Sequence, residues 1–474
     1  MRRTKIVATI GPSSRSPGVL RDLIAAGMDV ARLNFSHGEP AEHTRTVLRL
    51  RRLSRLAGRP VAILQDLQGP KIRVGRLRGG QVEIRRGSRL VLTARRVLGH
   101  ARLLPTDYRR LPQEVRPGDR VLLDDGRIQL RVLSTSGSDV TCRALEGGVV
   151  GEHKGINLPG VKLSAPALTD KDRADALLGA RLDVDFVALS FVRRAQDVEA
   201  LRRLLHGRGL DTPIIAKIEK PEAVEHLDEI LDIADGVMVA RGDLGVEMSP
   251  EEVPLVQKAV VSRARAAGKP VITATQMLES MRQSPRPTRA EASDVANAVF
   301  DGADALMLSG ETADGRYPVQ SVAMMARIIQ RAEPSAMHAA REERLEEGAS
   351  FADSIAEAAC RVARASRARA IVALTVTGGA ARLISSFRPH VPIYALAAGE
   401  TTARRLALAW GVLPLATRRR RNFEDLLIEM ERRLVREKLA SPGDAVVVIT
   451  GLPFTPSGST NLIKLHRVRA EAAS

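Results

Sequence analysis

Short apolar segments and amphipathic segments alternate along the first two thirds of the chain. Eight apolar segments have the length and composition of strands: Lys5–Ile10, Asp29–Phe35, Val61–Leu67, Asp185–Phe191, Pro213–Ile218, Gly236–Ala240, Pro270–Ala274 and Ala305–Leu308. Between them lie segments with helical spacing, such as Gly18–Ala26, Ala41–Leu56, Ala195–Leu205, Glu251–Ala267 and Ala290–Phe300. Apolar strands that alternate with helices are typical of a parallel sheet. Eight such units predict an α/β fold of the (β/α)8 TIM-barrel type.

Two further regions depart from the barrel pattern. Between Asp66 and a helix predicted near Thr169–Gly179 lie roughly a hundred residues, far more than an ordinary barrel loop contains. Their strand-like segments predict a small inserted β-barrel that can close as a lid: Gln81–Ile84, Arg89–Leu92, Arg120–Leu123, Ile128–Val132 and Val140–Ala144. After the charged stretch Ala339–Gly348 a new strand–helix pattern predicts a C-terminal α/β domain. Its predicted elements are, in order, helix Ala352–Ala365, strand Ala370–Val376, helix Ala380–Phe387, strand Ile393–Leu396, helix Thr401–Trp410 and strand Ala445–Thr450. The predicted boundaries are 1–69 and 167–345 for the barrel, 70–166 for the lid and 346–474 for the last domain.

The charge and the cysteines narrow the class of protein. A net charge of +18 is consistent with a protein that binds nucleic acid. However, the excess positive charge comes from arginines spread along the whole chain, and the dense run Arg418–Arg421 has no aromatic RNA-binding motif beside it. We therefore expect no specific nucleic-acid partner. The two cysteines, Cys142 and Cys360, lie far apart and indicate a reduced compartment. Without a signal segment or a long apolar run, the sequence predicts a cytoplasmic protein that does not enter a membrane.

Every predicted barrel strand ends in a polar or charged group. In chain order these groups are Thr9–Gly11, Arg32 with Asn34, Asp66, Ser190, Lys217 with Glu219, Arg241–Asp243, Thr275–Gln276 and Ser309–Glu311. Active sites of TIM barrels lie at the carboxyl ends of the strands. A mouth that holds cations and carboxylates together suits a phosphorylated substrate with a metal.

A lysine and a glutamate two positions apart end the fifth predicted strand. Because side chains alternate along a strand, Lys217 and Glu219 point to the same side, towards the barrel mouth. Taken alone, the pair is also consistent with a structural salt bridge. The next strand ends in Asp243, and two carboxylates without a histidine suit Mg²⁺, with Mn²⁺ as the alternative, better than zinc.

The glycines after the sixth strand allow a ligand to approach the backbone. Gly242 and Gly245 are consistent with a short helical turn whose N–H groups hold a carboxylate. The dinucleotide spacing G-x-G-x-x-G is absent here. Gly155 and Gly160 have the gap of a Walker A loop, but Val161 stands where lysine is required. A nucleotide must therefore be bound by another route.

Nine motifs resemble those of pyruvate kinases. They are Lys5–Pro12 (KIVATIGP), Ala31–Gly38 (ARLNFSHG), Gly69–Arg73 (GPKIR), Lys154–Gly160 (KGINLPG), Ala216–Glu219 (AKIE), Met238–Gly245 (MVARGDLG), Ile272–Met281 (ITATQMLESM), Pro285–Glu291 (PRPTRAE) and Met307–Glu311 (MLSGE). In outline the resemblance covers the whole chain. It implies a cytoplasmic, Mg²⁺-dependent enzyme of glycolysis that transfers the phosphoryl group of phosphoenolpyruvate to ADP, giving pyruvate and ATP.

The resemblance also implies roles for the charged residues of the mouth. Glu219 and Asp243 would bind the divalent metal, which also contacts phosphoenolpyruvate. Lys217 would stabilise the phosphoryl group in flight, and Arg32 would hold the same group from the second strand. Both are charge roles that phosphoryl transfer requires.

Uncharged residues of the mouth have implied roles as well. Gly242, together with Asp243, would contact the substrate, and Thr275 would position it. With Ser309 and water, Thr275 would lie on the proton path to the enolate carbon. The resemblance leaves open which group gives that proton.

Four residues match family positions that meet ADP and its metal: Asn34, His37, Arg73 and Lys154. Lys154 belongs to the predicted lid, so lid closure would complete the nucleotide site. His37 alone is equally consistent with a core histidine, and only the surrounding motif favours the nucleotide role.

The potassium motif of the family is changed in this chain. Many pyruvate kinases need K⁺ and have glutamate in a G-P-E-I-R motif, where Gly69–Arg73 here has Lys71. Leu67 and Gln68 also replace the usual Thr-Lys pair. A second cation a few ångströms from the Lys71 ammonium would be repelled by roughly several kcal/mol. The alternative is that Lys71 points away from the site as a solvated residue of the lid. The additional changes at Leu67 and Gln68 favour the potassium-independent type, in which the Lys71 ammonium replaces K⁺.

The C-terminal domain resembles the regulatory domain of the family more loosely. The residues that match its effector-phosphate site are Thr375, Thr377, Gly378, Arg382, Ser457 and Gly458. Hydroxyls and backbone N–H groups beside an arginine suit a phosphate. We expect weak-to-moderate activation by a monophosphorylated sugar or nucleotide, and the family implies a homotetramer.

Two other functions are consistent with parts of the sequence. Another Mg²⁺-dependent phosphoenolpyruvate or pyruvate barrel would share the carboxylate pair, but it would not explain Arg32, Lys217, the insertion and the last domain together. A basic nucleic-acid binder that uses the barrel only as a scaffold is the alternative from another class. Loss of RNA binding at moderate salt, combined with full turnover of phosphoenolpyruvate, would exclude it.

Overall fold

The chain begins with a buried strand, β1 (Lys5–Ile10). The computed structural model describes residues 2–339, 350–417, 422–452 and 460–469. The first part of the barrel continues with α1 (Pro17–Ala26), β2 (Val30–Asn34), α2 (Pro40–Leu56) and β3 (Ala62–Asp66). α1 begins at Ser16, whose hydroxyl accepts the Val19 N–H, and ends at Gly27, whose φ of 122° favours glycine. The predicted strand–helix alternation is confirmed from its first unit.

The long connection after β3 folds as a separate β domain. Its elements are β4 (Gln81–Ile84), β5 (Arg89–Thr93), β6 (Leu103–Pro105), α3 (Leu111–Glu114), β7 (Arg120–Leu123), β8 (Ile128–Ser136), β9 (Asp139–Glu146), β10 (Gly148–Gly151) and β11 (Ile156–Asn157). A six-stranded sheet has the order β11-β7-β8-β9-β5-β6, and β10 pairs with β4. Apolar residues of both sheets share one core, which includes Ile84, Leu130 and Val150. We call this unit the inserted domain.

The barrel then resumes and is completed. Its second part consists of α4 (Asp170–Arg181), β12 (Phe186–Leu189), α5 (Ala195–His206), β13 (Ile214–Ile218), α6 (Pro221–Glu225), α7 (Leu227–Ile233), β14 (Gly236–Ala240), α8 (Arg241–Glu247), α9 (Val253–Ala266), β15 (Val271–Ala274), a 3₁₀ helix (Glu279–Arg282), α10 (Arg289–Asp301), β16 (Ala305–Leu308), α11 (Gly310–Ala313) and α12 (Pro318–Ala339). The strands close in the parallel order β1-β16-β15-β14-β13-β12-β3-β2. This is the predicted TIM barrel, so the carboxyl ends of all eight strands meet at one mouth.

The last domain is a separate α/β unit, as predicted. It consists of α13 (Phe351–Ala365), β17 (Ala370–Thr375), α14 (Gly379–Ser386), β18 (Ile393–Ala398), α15 (Glu400–Leu406), β19 (Val412–Thr417), α16 (Phe423–Arg436), β20 (Ala445–Thr450) and β21 (Leu462–Arg467). Its sheet has the order β19-β18-β17-β20-β21, and only β21 runs antiparallel to its neighbour. The run Arg418–Arg421 lies outside the described residues. None of the described helices combines the length and the apolar run that crossing a membrane requires.

The C-terminal domain closes the end of the barrel opposite the mouth. Ala407 and Leu408 pack into the cluster of apolar side chains that fills the barrel interior, together with residues such as Val7. At the start of β1 the buried Lys5 ammonium donates to the Val412 carbonyl at 2.6 Å. The mouth is therefore the end of the barrel at which a ligand can enter.

Burial of Lys5 makes stability depend on pH. Burial lowers the pKa of Lys5 from 10.5 to about 8, because attraction to Asp29 offsets only part of the cost of desolvation. Below pH 8 the amine is charged in both the folded and the unfolded chain, and burial of that charge destabilises the folded state. Between pH 8 and 10.5 only the folded state loses the proton, so unfolding becomes less favourable.

Comparison with Lys5→Met isolates this effect. Stability of the natural chain relative to Lys5→Met is expected to rise between pH 8 and 10.5, by at most on the order of 3 kcal/mol. Urea unfolding of both proteins at several pH values measures it. A difference in free energy of unfolding that stays constant across this range would contradict the prediction.

Candidate active site

A connected cluster of charged residues lies at the barrel mouth. The Arg32 Nε donates to Asp66 Oδ2 at 2.7 Å, and one of its terminal nitrogens donates to the Thr9 hydroxyl at 3.0 Å. Asp66 Oδ1 lies 3.3 Å from the Lys217 ammonium. Lys217 in turn lies 2.6 Å from Glu219 Oε1. One buried carboxylate, that of Asp66, thus orients the arginine and the lysine that the sequence placed on separate strands.

The Lys217 ammonium is buried and charged. Burial alone would lower the pKa of Lys217, but the carboxylates of Asp66, Glu219 and Asp243 outweigh this effect and raise the pKa above its usual value. The ammonium also donates to the Ser190 hydroxyl at 2.7 Å. Its charge is therefore fixed in position, which is the arrangement that stabilises negative charge developing on a substrate.

The charge of Asp243 acts on the other predicted metal ligand, Glu219. Burial raises the pKa of Glu219, attraction to Lys217 lowers it, and repulsion from Asp243 raises it again. Glu219 Oε2 accepts the Phe191 N–H at 2.8 Å. Two mutually repelling carboxylates with only oxygen donors fit a hard divalent cation, which relieves that repulsion. Within the described ranges no group of three or more His, Cys, Asp or Glu side chains is arranged for a metal ion, and the candidate centre here has two carboxylates.

Thr275 has an unusual backbone conformation beside α8. Its φ is 72°, in the left-handed region that a β-branched residue rarely occupies. The Arg241 guanidinium holds this conformation: it donates to the Thr275 carbonyl at 2.6 Å and forms two hydrogen bonds with Asp294, at 2.7 and 2.8 Å. The Thr275 hydroxyl accepts the Gly242 N–H at 2.8 Å. Backbone strain of this kind is concentrated at functional sites.

Ser309 directly follows β16, the last barrel strand, and has a buried hydroxyl. Its oxygen has no hydrogen-bond partner among the described residues, whereas its N–H donates to Glu311 Oε2 at 2.7 Å. A buried polar atom without a partner is costly unless a ligand or water satisfies it. The hydroxyl therefore has the property expected of a group that contacts substrate or water.

The four predicted nucleotide residues come from the mouth and the inserted domain. Asn34 lies at the end of β2, and its Oδ1 accepts the Ser36 N–H at 3.1 Å. Partial desolvation, followed by repulsion from Arg73, Lys71 and Arg32, lowers the pKa of His37. The structure thus brings His37 close to Arg73, which is far from it in sequence.

The remaining nucleotide residue extends from the inserted domain. Lys154 pairs with Asp124 at 2.8 Å, and its side chain is half exposed. Its neighbour Gly155 forms an isolated bridge with Arg73. The inserted domain therefore holds Arg73 and Lys154 on adjacent backbone segments.

Comparison with known proteins identifies the family. A model described as "Pyruvate kinase, barrel domain" matches residues 1–322, and one described as "Pyruvate kinase, alpha/beta domain" matches residues 353–466. The chain belongs to the pyruvate kinase family. It is 47% identical to a pyruvate kinase of Geobacillus stearothermophilus over 98% of this chain and 80% of that protein. A pyruvate kinase of Agrobacterium vitis is 45% identical over 99% of this chain and 97% of its own length.

The fold agrees with a solved member of the pyruvate kinase family. The crystal structure of a pyruvate kinase from Cryptosporidium parvum superposes with a TM-score of 0.91 at 38% identity and covers 98% of this chain and 96% of that one. The chain is thus a phosphotransferase of the pyruvate kinase type, built from a TIM barrel, an inserted domain and a C-terminal α/β domain.

Residues that the motifs did not single out also contribute to the pyruvate kinase site. Asp66 orients both Arg32 and Lys217, and Ser190 accepts from Lys217 while it donates to the Leu67 carbonyl at 2.7 Å. Their position at strand ends had placed Asp66 and Ser190 in the predicted mouth, but the sequence assigned no role to either. Lys171 donates to the Phe35 carbonyl at 2.7 Å and repels the charge of His37, but no motif pointed to it.

The predicted effector residues lie in the C-terminal domain, distant from the mouth in the fold. The Thr375 hydroxyl accepts the Gly378 N–H at 2.9 Å, and Gly378 has a φ of 87°. Arg382 donates to the Thr377 carbonyl at 3.2 Å. Ser457 and Gly458, the other half of the predicted site, lie outside the described residues.

Proposed function

We propose that this chain transfers the phosphoryl group of phosphoenolpyruvate to ADP and so produces pyruvate and ATP. The supporting observation is the buried Lys217 ammonium, which lies 3.3 Å from Asp66 and 2.6 Å from Glu219 at the barrel mouth. Asp66 holds the Arg32 guanidinium on its other oxygen. Two fixed cations on one side of the mouth suit a phosphoryl group whose oxygens carry most of the charge in the transition state.

Lys217 and Arg32 have separate tasks in this proposal. Arg32 offers planar donors and binds the phosphoryl oxygens before and during transfer. Lys217 is a point charge that neutralises the group as it leaves the enolate oxygen. Because both cations are already oriented by Asp66, no reorganisation is needed at the moment of reaction.

Glu219 and Asp243 would hold the divalent metal, which we propose to be Mg²⁺, or Mn²⁺ in its place. When bound, this ion neutralises charge on the phosphoryl and carboxylate oxygens of the substrate. Gly242 and Thr275 lie beside the pair and would fix the substrate in the mouth. Thr275 and the Ser309 hydroxyl, with water, would carry the proton to the enolate carbon.

The nucleotide is proposed to approach from the side of the inserted domain. Asn34 and His37 would meet it from the barrel, and Arg73 and Lys154 from the inserted domain. Partial burial and then repulsion from the neighbouring cations lower the pKa of His37 and so disfavour its charged imidazolium form. A neutral imidazole can accept or donate a hydrogen bond while the arginine and the lysine neutralise the phosphates.

Pyruvate release tests the proposed function directly. Purified protein with phosphoenolpyruvate and Mg²⁺ is expected to release pyruvate only when ADP is added, as measured by coupling to lactate dehydrogenase. Omission of the divalent ion, by chelation, is expected to stop the reaction. No ADP-dependent pyruvate under any of these conditions would overturn the proposal.

We also propose that the reaction needs no K⁺. The Lys71 side chain is half-buried, and within the described residues no ion pair neutralises its ammonium. A Cβ atom added to Gly155 would lie 3.4 Å from Lys71 Cε. The Lys71 side chain therefore lies against the segment that carries Lys154. A fixed cation here supplies the charge that K⁺ supplies elsewhere.

Potassium dependence gives a prediction about Lys71. Replacing K⁺ by Na⁺ or Tris is expected to change the rate of the natural chain by less than about twofold, because a second cation would be repelled. Lys71→Met is expected to lower the K⁺-free rate about tenfold, an effect of 1.4 kcal/mol. Steady-state rates in matched buffers measure both. A natural chain whose rate falls to a small fraction without K⁺ would contradict the role of Lys71.

Regulation and assembly are proposed on the basis of the family. Thr375, Thr377, Gly378 and Arg382 would bind the phosphate of a monophosphorylated sugar or nucleotide and activate the enzyme weakly to moderately. We propose a homotetramer that operates in glycolysis in the cytoplasm, where Cys142 and Cys360 would stay free thiols, as they are here. Isothermal titration with such phosphates and analytical ultracentrifugation test the two proposals.

A further inference from the structure

Glu247 joins three parts of the active-site region. It is the last residue of α8, the helix that begins at Arg241 and carries Gly242 and Asp243. Its Oε1 accepts a hydrogen bond from the Lys220 ammonium at 2.6 Å and another from the Asn157 amide at 3.2 Å. Lys220 follows Glu219, and Asn157 belongs to β11 of the inserted domain. One carboxylate oxygen thus connects the barrel, α8 and the inserted domain.

The position of Glu247 is not explained by the stability of α8. A carboxylate in the last turn of a helix is opposed by the helix dipole. The side chain is also buried, with 2% of it exposed, and burying a carboxylate is costly without partners. Its two partners account for both features. The Lys220 ammonium also lies 5.9 Å from the centre of the Phe191 ring, a second contact that orients the lysine side chain.

Asn157 connects this carboxylate to the proposed nucleotide residues. It lies three positions after Lys154, in the strand that pairs with β7. The intervening Gly155 forms a bridge with Arg73. A hydrogen bond from Asn157 to Glu247 therefore fixes the backbone that carries both inserted-domain cations relative to the barrel mouth.

We propose that Glu247 is a positioning residue that fastens the inserted domain over the mouth through Asn157. Lys220 holds the carboxylate in the orientation that Asn157 meets. The hydrogen bond places Arg73 and Lys154 for ADP and leaves phosphoenolpyruvate, which is bound in the barrel, largely unaffected. This inference rests on the proposed function for its substrate, and it adds Glu247, Lys220 and Asn157 to the residues that shape the site.

A double-mutant cycle on ADP kinetics tests the proposal. Asn157→Ala and Glu247→Ala are each expected to raise KM for ADP about tenfold, with KM for phosphoenolpyruvate changed less than about threefold, because a hydrogen bond to a charged group is lost. The double variant is expected to be no worse than Glu247→Ala, since Asn157→Ala then removes a partner whose contact is already lost. Glu247→Gln keeps an acceptor oxygen for Asn157 and is expected to retain most of the ADP affinity.

Tyr108→Phe is the matched control within the inserted domain. It removes the hydrogen bond of Tyr108 to Glu114 at 2.6 Å and leaves the contacts of Glu247 with Lys220 and Asn157 in place. Its KM for ADP is expected to stay within about twofold of the natural value. Effects of Asn157→Ala and Glu247→Ala that multiply in the double variant, or an unchanged KM for ADP in Asn157→Ala, would overturn the proposal.

Hydrogen exchange separates failure of this inference from failure of the proposed function. Without substrates, amide exchange in residues 154–157 is expected to rise in Asn157→Ala and Glu247→Ala but not in Tyr108→Phe. If the natural chain makes no pyruvate but exchange rises in Asn157→Ala and Glu247→Ala, the fastening role of Glu247 is supported and the proposed reaction is wrong. Unchanged exchange in both alanine variants would contradict the fastening role itself.

Discussion

Lys217→Met is expected to lower kcat for pyruvate formation about 10³-fold while the chain stays folded. Removal of one preorganised charge that acts on the transition state typically costs two to three orders of magnitude. Lys217 is such a charge, because Asp66 and Glu219 hold its ammonium in place at the mouth. Methionine keeps the length of the side chain but cannot neutralise the phosphoryl group. Steady-state rates at saturating substrate and metal measure the effect.

Lys269→Met is the control for a lysine substitution in the same barrel, at a partly buried position. Its ammonium donates to the Ala234 carbonyl at 2.8 Å, just before β14 and therefore at the end of the barrel opposite the mouth. We expect kcat within about twofold of the natural value, with circular dichroism confirming that both variants are folded. A kcat for Lys217→Met that stays within tenfold of the natural enzyme would refute the role assigned to Lys217.

Glu219→Gln is expected to weaken divalent-metal binding at least about 100-fold. Even partners that only orient a metal ligand typically contribute 10–100-fold to affinity, and Glu219 is proposed to be a ligand itself. Glutamine keeps the shape and an acceptor for the Phe191 N–H but removes the charge that attracts the ion. Electron paramagnetic resonance titration with Mn²⁺, without substrates, measures binding independently of catalysis.

Glu225→Gln provides the same change of charge at an exposed position. Glu225 ends α6, six residues further along the chain, and its side chain faces solvent. Its Mn²⁺ affinity is expected to equal that of the natural protein. Equal affinity of the natural chain and Glu219→Gln would place the metal elsewhere and exclude the Glu219–Asp243 pair as its site.

The barrel strands could be predicted because most of their residues are apolar. β1, β14 and β16 begin and end where the sequence pattern placed them. In the last domain the pattern missed β19, α16 and β21. β21 is an edge strand with polar residues such as Lys464 and His466 on it, so no apolar run marks it. The helix predicted over Thr401–Trp410 ends at Leu406, because Ala407 and Leu408 leave it to pack into the barrel interior.

The site could be predicted only as far as local rules extend. Alternation along one strand predicted that Lys217 and Glu219 share a side, and their 2.6 Å contact confirms it. The contact of Asp66 with Lys217 depends on closure of the barrel, since β12 lies between their strands. The left-handed φ of Thr275 depends on Arg241 and Asp294, which hold it from other elements. No sequence rule predicts the contact of Asp66 with Lys217 or the backbone conformation of Thr275.

The most direct test of the account is the fate of the phosphoryl group. We would follow phosphorus-31 resonances of the natural chain with phosphoenolpyruvate, ADP and Mg²⁺ in a K⁺-free buffer. The account predicts that the phosphoenolpyruvate signal is replaced by the γ-phosphate of ATP in equal amount, with no free phosphate. Loss of phosphoenolpyruvate with free phosphate as the product, or no loss at all, would contradict phosphoryl transfer to ADP as the function of this site.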